Sequence, residues 1–266
     1  MSKFTDQHYL KSDQYKDASN LTARLTIHDR FSTNRYGWFN WVFYTLQKLP
    51  SNARILEVGS GSGVLWKSIG DRIPAGWNIT LSDLSSGMLD AAWRNLVVLG
   101  RPFQFKEIDA QSIPFEDETF DAVIANHMLY HVPDRAKAFA EIKRVLKPGG
   151  HFFAATNGGN HMRELTDWFR RIQVNNVWEK AIAPFMLENG AEQLKPFFRS
   201  VTLSRYEDSL QVTELEPMLD YIRSMMRVDE LSEQEFAKVQ AEFEKELKEK
   251  GRIFITKDSG LFEAVK

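Results

Sequence analysis

Cysteine is absent from the 266 residues. That excludes disulfides, thiolate catalysis and cysteine-based metal sites, and makes the cytosol the default compartment. No stretch approaches the roughly 20 consecutive apolar residues needed to cross a bilayer. The polar start MSKFTDQHYLKSDQ also lacks the apolar segment of a secretory signal. Neither sign of charge dominates: 34 basic against 36 acidic residues leave a net −2, too little to gather nucleic acid or an anionic membrane. Internal repeats and low-complexity tracts are missing as well. What is present, 43% hydrophobic and 26% charged residues, is the composition of a globular protein able to bury a sizeable core. The expectation is a soluble, cytoplasmic protein, monomer or homodimer, with a small-molecule partner and neither nucleic acid nor membrane.

From Arg54 to Thr156, short β-branched or aromatic runs alternate with amphipathic stretches, the pattern of βαβ units in a parallel sheet. Strands are expected at 54–58, 78–82, 103–108, 120–125 and 150–156, and helices at 85–96 and 134–146, the latter capped by Asp134. Residues 15–48 read as two helices, with Leu21, Leu25, His28 and Phe31 on one stripe and an aromatic group from Tyr36 to Tyr44. Residues 160–195 are helical and aromatic-rich, and read as a lid. SVTLSRYEDSLQVT returns to strand, capping-box patterns follow at Thr213–Glu216 and Ser232–Glu235, and GRIFITKDSGLFEAVK reads as two strands around a turn at Asp258 to Gly260. The fold predicted is α/β and doubly wound: a mostly parallel seven-stranded sheet with an antiparallel C-terminal hairpin edge, N-terminal helices and a helical lid insertion. Its parts are a helical cap (1–50), a Rossmann-like core (51–157), the lid insertion (158–197) and C-terminal strands and helices that complete the sheet (198–266).

The strongest motif is ILEVGSGSG at 55–63, an apolar strand running into a glycine loop with a helix immediately after. Gly59, Gly61 and Gly63 permit backbone angles barred to other residues and let a ligand approach the main chain. A nucleotide-type ligand at the carboxyl end of the first strand is the natural reading. A dinucleotide fingerprint would place its third glycine where Val64 stands. Glu57 would also repel a pyrophosphate, whereas it would welcome a cationic amino acid.

The motif resembles the first motif of the class I S-adenosylmethionine-dependent methyltransferases, and residues 54–157 follow that family's order. Asp83 ends the second strand, Asp109-Ala110 follows the third, FDAVIANHMLYHV (120–132) resembles the fourth strand and its loop, and LKPGG (146–150) the turn into the fifth. Within the family the pattern is most similar to the type-11 group of small-molecule methyltransferases. The resemblance implies a cofactor, S-adenosyl-L-methionine, left as S-adenosyl-L-homocysteine after transfer. It implies that Asp83 accepts hydrogen bonds from the ribose hydroxyls and Asp109 from the adenine amine, with Gln111 and Ile113 nearby, and that Glu57 orients the amino-acid part. Ser60, Leu84, Met88, Asn126 and His127 complete the implied cofactor-binding set.

A sulfonium methyl is already activated, so a base is needed only if the acceptor must lose a proton. His127, Tyr130 and His131 are then the candidates, with His28 and Asp29 behind them. Tyr15, His28, Tyr36, Trp168 and Trp178 are expected to contact the substrate or close over the site. More ordinary roles compete: Asp83 as a helix cap, Met88 as core filler, most of the 36–44 aromatics as packing. His127 and His131 lack a third ligand, so no metal is expected. Two other functions share the fold, a nicotinamide-dependent oxidoreductase and an inactive cofactor-binding regulator or scaffold.

Overall fold

The computed structural model describes residues 5–174, 182–225 and 231–266. Seven strands form one sheet in the order β3-β2-β1-β4-β5-β7-β6. They are β1 Arg54–Val58, β2 Asn78–Asp83, β3 Gln104–Glu107, β4 Phe120–Asn126, β5 Leu146–Asn157, β6 Ser200–Val212 and β7 Ile253–Val265. The pairs from β3 to β5 are parallel, and β7 is antiparallel to both β5 and β6. Successive βαβ crossovers run outward from β1 in one direction and from β4 in the other. Between these two strands the order reverses and a crevice opens at their carboxyl ends.

The helices are a short turn α1 Gln7–Tyr9, α2 Ser19–Phe31, α3 Trp38–Leu46, α4 Val64–Ile69, α5 Ser86–Leu96, α6 Arg135–Val145, α7 Arg163–Arg171, α8 Gly190–Leu194, α9 Leu215–Met225 and α10 Glu233–Lys250. The central strands are apolar on both faces, so both faces must be covered. Phe43, Leu46, Trp66 and Leu96 cover Ile55, Ile79 and Phe153 on one side. Phe139, Ile142 and Val145 cover Leu56, Val123 and Phe152 on the other. A third core joins α2, α7, α9 and α10 to the far ends of β6 and β7 through Ile27, Trp168, Ile222, Phe243 and Ile255. The expected caps at Asp134 and Ser232 are present, Ser232 with its full box to Glu235, whereas the helix after Thr213 begins at Leu215.

Two local expectations are corrected. The stretch 253–265 is one strand: Asp258, Ser259 and Gly260 lie in unbroken register against Glu207, Tyr206 and Arg205. Gly260 serves close approach instead of a turn, since a Cβ there would stand 2.7 Å from the Ser204 carbonyl oxygen. Of residues 158–197, read as a lid, the described stretches 158–174 and 182–197 form wall and core. Leu165, Trp168 and Phe169 are buried in the third core, Trp168 edge-on to Phe243 at 5.4 Å. Phe185, Leu187 and Leu194 fill the core on the α6 face. Their aromatic spacing reflects helix burial. Trp178 lies outside the described residues. No described helix is long and apolar enough to cross a membrane.

Candidate active site

A cavity of about 300 Å³ opens at the carboxyl ends of β1, β2 and β4, roofed by the N-terminal segment and α2. On the strand-end side its wall includes the glycine loop. Gly59 and Gly61 adopt φ of +64° and +54°, left-handed angles that favour glycine. A Cβ on Gly59 would lie 2.7 Å from Met128. Gly63 is absent from the lining: it sits behind the loop, where a Cβ would strike Leu96 at 2.9 Å, so its task is to let the loop pack on α5.

Asp83, at the end of β2, accepts from the Gly61 N–H through Oδ2 (2.9 Å) and from the Ser85 N–H through Oδ1 (2.9 Å). Burial raises its pKa against those bonds. Ser85, not Asp83, is the N-cap of α5, accepting from the Met88 N–H. Met88 is 1% exposed and lines the cavity, so it is core and wall at once. Glu57, on the last turn of β1, accepts from Trp66 Nε1 at 2.6 Å. Burial pushes its pKa up to about 8, the Trp66 bond opposing, so the acid is neutral at and below pH 7.

Asp109 is bridged by Gln111, whose N–H and Nε2 donate to it, and by Gln7, whose Nε2 donates at 2.8 Å. Burial acts to raise its pKa, but these bonds win and lower it. Gln111 is thus a support for Asp109 and for the Asp134 N–H, and does not itself line the cavity. Ala110 and Leu84 do. The N-terminal segment is fastened along this mouth by Gln7, by the Lys11–Glu107 ion pair, and by Ser85 Oγ donating to the Tyr15 carbonyl at 2.7 Å.

The other side of the cavity is made of side chains from distant segments. Leu21, Arg24, Leu25 and His28 come from α2, Trp38 and Phe39 from α3, and His127, Tyr130 and His131 from the loop after β4. His161, Tyr221 and Lys257 come from the C-terminal half. His127 takes a positive φ of 55°, a sparsely populated region for a non-glycine residue, and lies 5.1 Å from the Trp38 ring. Tyr15 Oη and His131 Nε2 share a hydrogen bond at 3.0 Å.

Lys257 is buried against Asp208 at 2.6 Å. Burial first, and then its cation, hold His127 down to about 4 and His161 down to about 3, and His28 well below its ordinary value. The three rings are therefore neutral at pH 7. The Asp258 N–H donates to His161 Nδ1 at 3.2 Å, leaving Nε2 to carry that ring's proton. Burial also raises the Tyr130 and Tyr221 hydroxyls, which stay protonated.

One observation ties the two sides together. Five buried side-chain polar atoms have no hydrogen-bond partner among the described residues: Arg24 Nη2, His28 Nδ1, Trp38 Nε1, Ser60 Oγ and Asn126 Oδ1. All five residues line this cavity. Buried polar groups are normally satisfied, so their concentration here marks the place where a ligand completes the protein.

Known proteins resemble this chain in sequence and fold. Residues 56–154 match the type-11 family described as a methyltransferase domain. Over that stretch the chain is similar to the class I S-adenosylmethionine-dependent methyltransferases. It is 29% identical over 150 residues to the ubiquinone/menaquinone biosynthesis C-methyltransferase of Coxiella burnetii, covering 55% of this chain and 59% of that one. It is 37% identical over 120 residues to the malonyl-[acyl-carrier protein] O-methyltransferase of Geobacter sulfurreducens, covering 44% of this chain and 43% of the relative. The chain thus matches less than two thirds of these relatives' length. Among solved structures, the phosphoethanolamine N-methyltransferase 2 of Haemonchus contortus, in complex with phosphomonomethylethanolamine and S-adenosylhomocysteine, shares the fold at TM-score 0.60 and 18% identity, over 100% of this chain and 60% of that one.

The remaining expected site residues separate cleanly. Tyr36 is 52% exposed and outside the cavity, because its place just before α3 turns it to solvent. Trp168 is core, and Asp29 is exposed on the outer side of α2. No group of three or more metal-ligating side chains occurs among the described residues. Sequence reasoning missed Arg24, His161, Tyr221 and Lys257. Arg24 had a signal, a charge interrupting the apolar stripe of Leu21, Leu25 and His28; the others had none.

Proposed function

We propose that the protein is an enzyme that binds S-adenosylmethionine across the ends of β1, β2 and β4 and transfers its methyl group to a small molecule held against α2, α9 and β7. The observation that carries the reading is the set of five unpartnered buried polar atoms in one cavity, whose wall includes the glycine loop beside Asp83. The cofactor fits this wall. Asp83 retains acceptor capacity for a ribose diol, Asp109 for an adenine amine, and Asn126 Oδ1 and Ser60 Oγ need partners that an amino-acid group offers.

When bound, the cofactor supplies a methyl group already activated by its sulfonium. The chain's part is to align the acceptor and exclude water. Should the acceptor carry a proton, His131, bonded to Tyr15 Oη, and the neutral His127 are placed to take it. The two relatives are named for methylation at carbon and at oxygen, so the shared core does not carry the choice of acceptor atom. The balanced charge and the absence of cysteine support a cytoplasmic enzyme, monomer or homodimer, without nucleic acid or membrane as partner. No observation favours a nicotinamide cofactor or a purely regulatory role.

Calorimetry with S-adenosylmethionine and S-adenosylhomocysteine tests the reading. The native protein should bind both, and Asp83→Ala should bind more weakly by about 1.5–3 kcal/mol, the scale of hydrogen bonds to a charged group. Absence of binding to the native protein would overturn it.

A further inference from the structure

We propose that the methyl acceptor is a carboxylic acid with an apolar body, its carboxylate held by Arg24; this rests on the methyltransferase reading above. Three cationic side chains line the cavity. Lys11 is paired with Glu107 and Lys257 with Asp208. Arg24 has no carboxylate partner among the described residues: its Nε donates to the Asn20 carbonyl at 3.1 Å, its side chain hydrogen-bonds Tyr15, whose ring centre lies 5.3 Å from the guanidinium, and its Nη2 is buried and unpartnered. A guanidinium removed from water without a counter-ion is costly, and an arriving anion relieves that cost.

The neighbourhood fits an anion and an apolar body together. His28 stands one turn further along α2 with Nδ1 unpartnered, and Trp38 Nε1 is a second unpartnered donor. The carboxylates that line the cavity, Glu57, Asp83 and Asp109, all stand at the strand ends, so the α2 side contains none. Leu21, Leu25 and Phe39 line the same cavity. A carboxylate matches one planar guanidinium in both geometry and charge. A phosphate dianion would bring a second charge to a wall whose remaining cations are already neutralised.

The test uses the native protein saturated with S-adenosylhomocysteine, titrated by calorimetry with benzoate, phenylacetate and octanoate, with the matched amides, and with phenyl phosphate. At least one acid should bind about tenfold or more tightly than its amide. That preference should vanish in Arg24→Gln and persist in part in Arg24→Lys. Equal binding of acid and amide, no binding of any acid, tighter binding of phenyl phosphate than of benzoate, or a preference that survives Arg24→Gln would overturn the inference. S-Adenosylhomocysteine affinity is measured first on each protein. If the native protein does not bind it, the methyltransferase reading itself fails; if it binds and the acids are not preferred, only the carboxylate inference fails. Should Arg24→Gln not fold, the acid–amide comparison on the native protein and on Arg24→Lys decides.

Discussion

At the ends of β1 and β2 the proposed ligand meets the glycine loop, two glycines at left-handed angles, beside the strand-end carboxylates Glu57 and Asp83. Against α2, α9 and β7 it meets side chains brought together from Arg24, His28, Tyr221 and Lys257. The first kind of wall depends on backbone geometry that few residues permit. The second depends on which side chains happen to project from ordinary helices and strands, and it can change without disturbing the first. One cavity therefore joins a constrained half to a replaceable one, and relatives named for different acceptor atoms are what such a construction allows.

The contrast can be broken most forcefully at Gly59. Gly59→Ala combines a φ of +64° with a Cβ 2.7 Å from Met128. It should lower the unfolding free energy by about 2–4 kcal/mol, read from denaturant midpoints, and weaken S-adenosylhomocysteine binding with it. An unchanged midpoint would show that the loop is not constrained.

Titration should sharpen the contrast, because the two halves respond to pH with opposite sign. His127 and His161, held at about 4 and about 3 instead of 6.5, and His28, also lowered, take up protons more readily when unfolded, so their stability is present above pH 6.5 and lost as pH falls below it. Glu57, raised from 4.5 to about 8, keeps its proton more readily when folded, so its stability is present below pH 4.5 and lost as pH rises towards 8. Between those ranges the histidines outnumber the acid. Ligand-free stability should therefore peak near pH 6.5 and change by about 1.4 kcal/mol per pH unit for each uncompensated proton. Glu57→Gln should remove the alkaline decline and leave the acid one; loss of both limbs together would contradict the assignment.

Smaller effects separate the halves further. His28→Phe replaces an imidazole whose Nδ1 is unpartnered by an apolar ring of similar shape. It should raise stability by up to about 1 kcal/mol while S-adenosylhomocysteine affinity stays within about twofold, since site residues trade stability for function. A stability loss would mean that His28 has a structural bond to lose. Tyr36→Ala should do least, within about 0.5 kcal/mol by thermal melting and with no change in affinity, because the side chain faces solvent.

Legibility in the sequence follows the same division. The glycine loop, Asp83 and the five parallel strands were readable because backbone constraint restricts residue type, leaving glycines and strand-end acids at fixed spacing. Arg24, His161, Tyr221 and Lys257 were not, since nothing local distinguishes a side chain that reaches a cavity from one that reaches solvent. Aromatic clustering misled for a related reason: Trp38 and Phe39 line the cavity, Phe43 and Trp168 are core, and Tyr36 and Tyr44 are exposed, yet all are equally aromatic. The Asp258 to Gly260 stretch carries turn chemistry that thirteen-residue strand pairing overrides.

The Lys257–Asp208 pair has a consequence for how the hairpin finds its alignment. The two residues face each other directly across β6 and β7, and they are buried. Side chains alternate along β7, so Lys257 and Ser259 reach the cavity and Asp258 does not. A slip of one residue would turn the lysine outward, point an acid at the ligand, and leave a buried carboxylate without its cation. The ion pair thus acts as a registration mark: together with the buried apolar side chains of both strands it admits one alignment of the hairpin, and with it one sign of charge in this wall of the cavity.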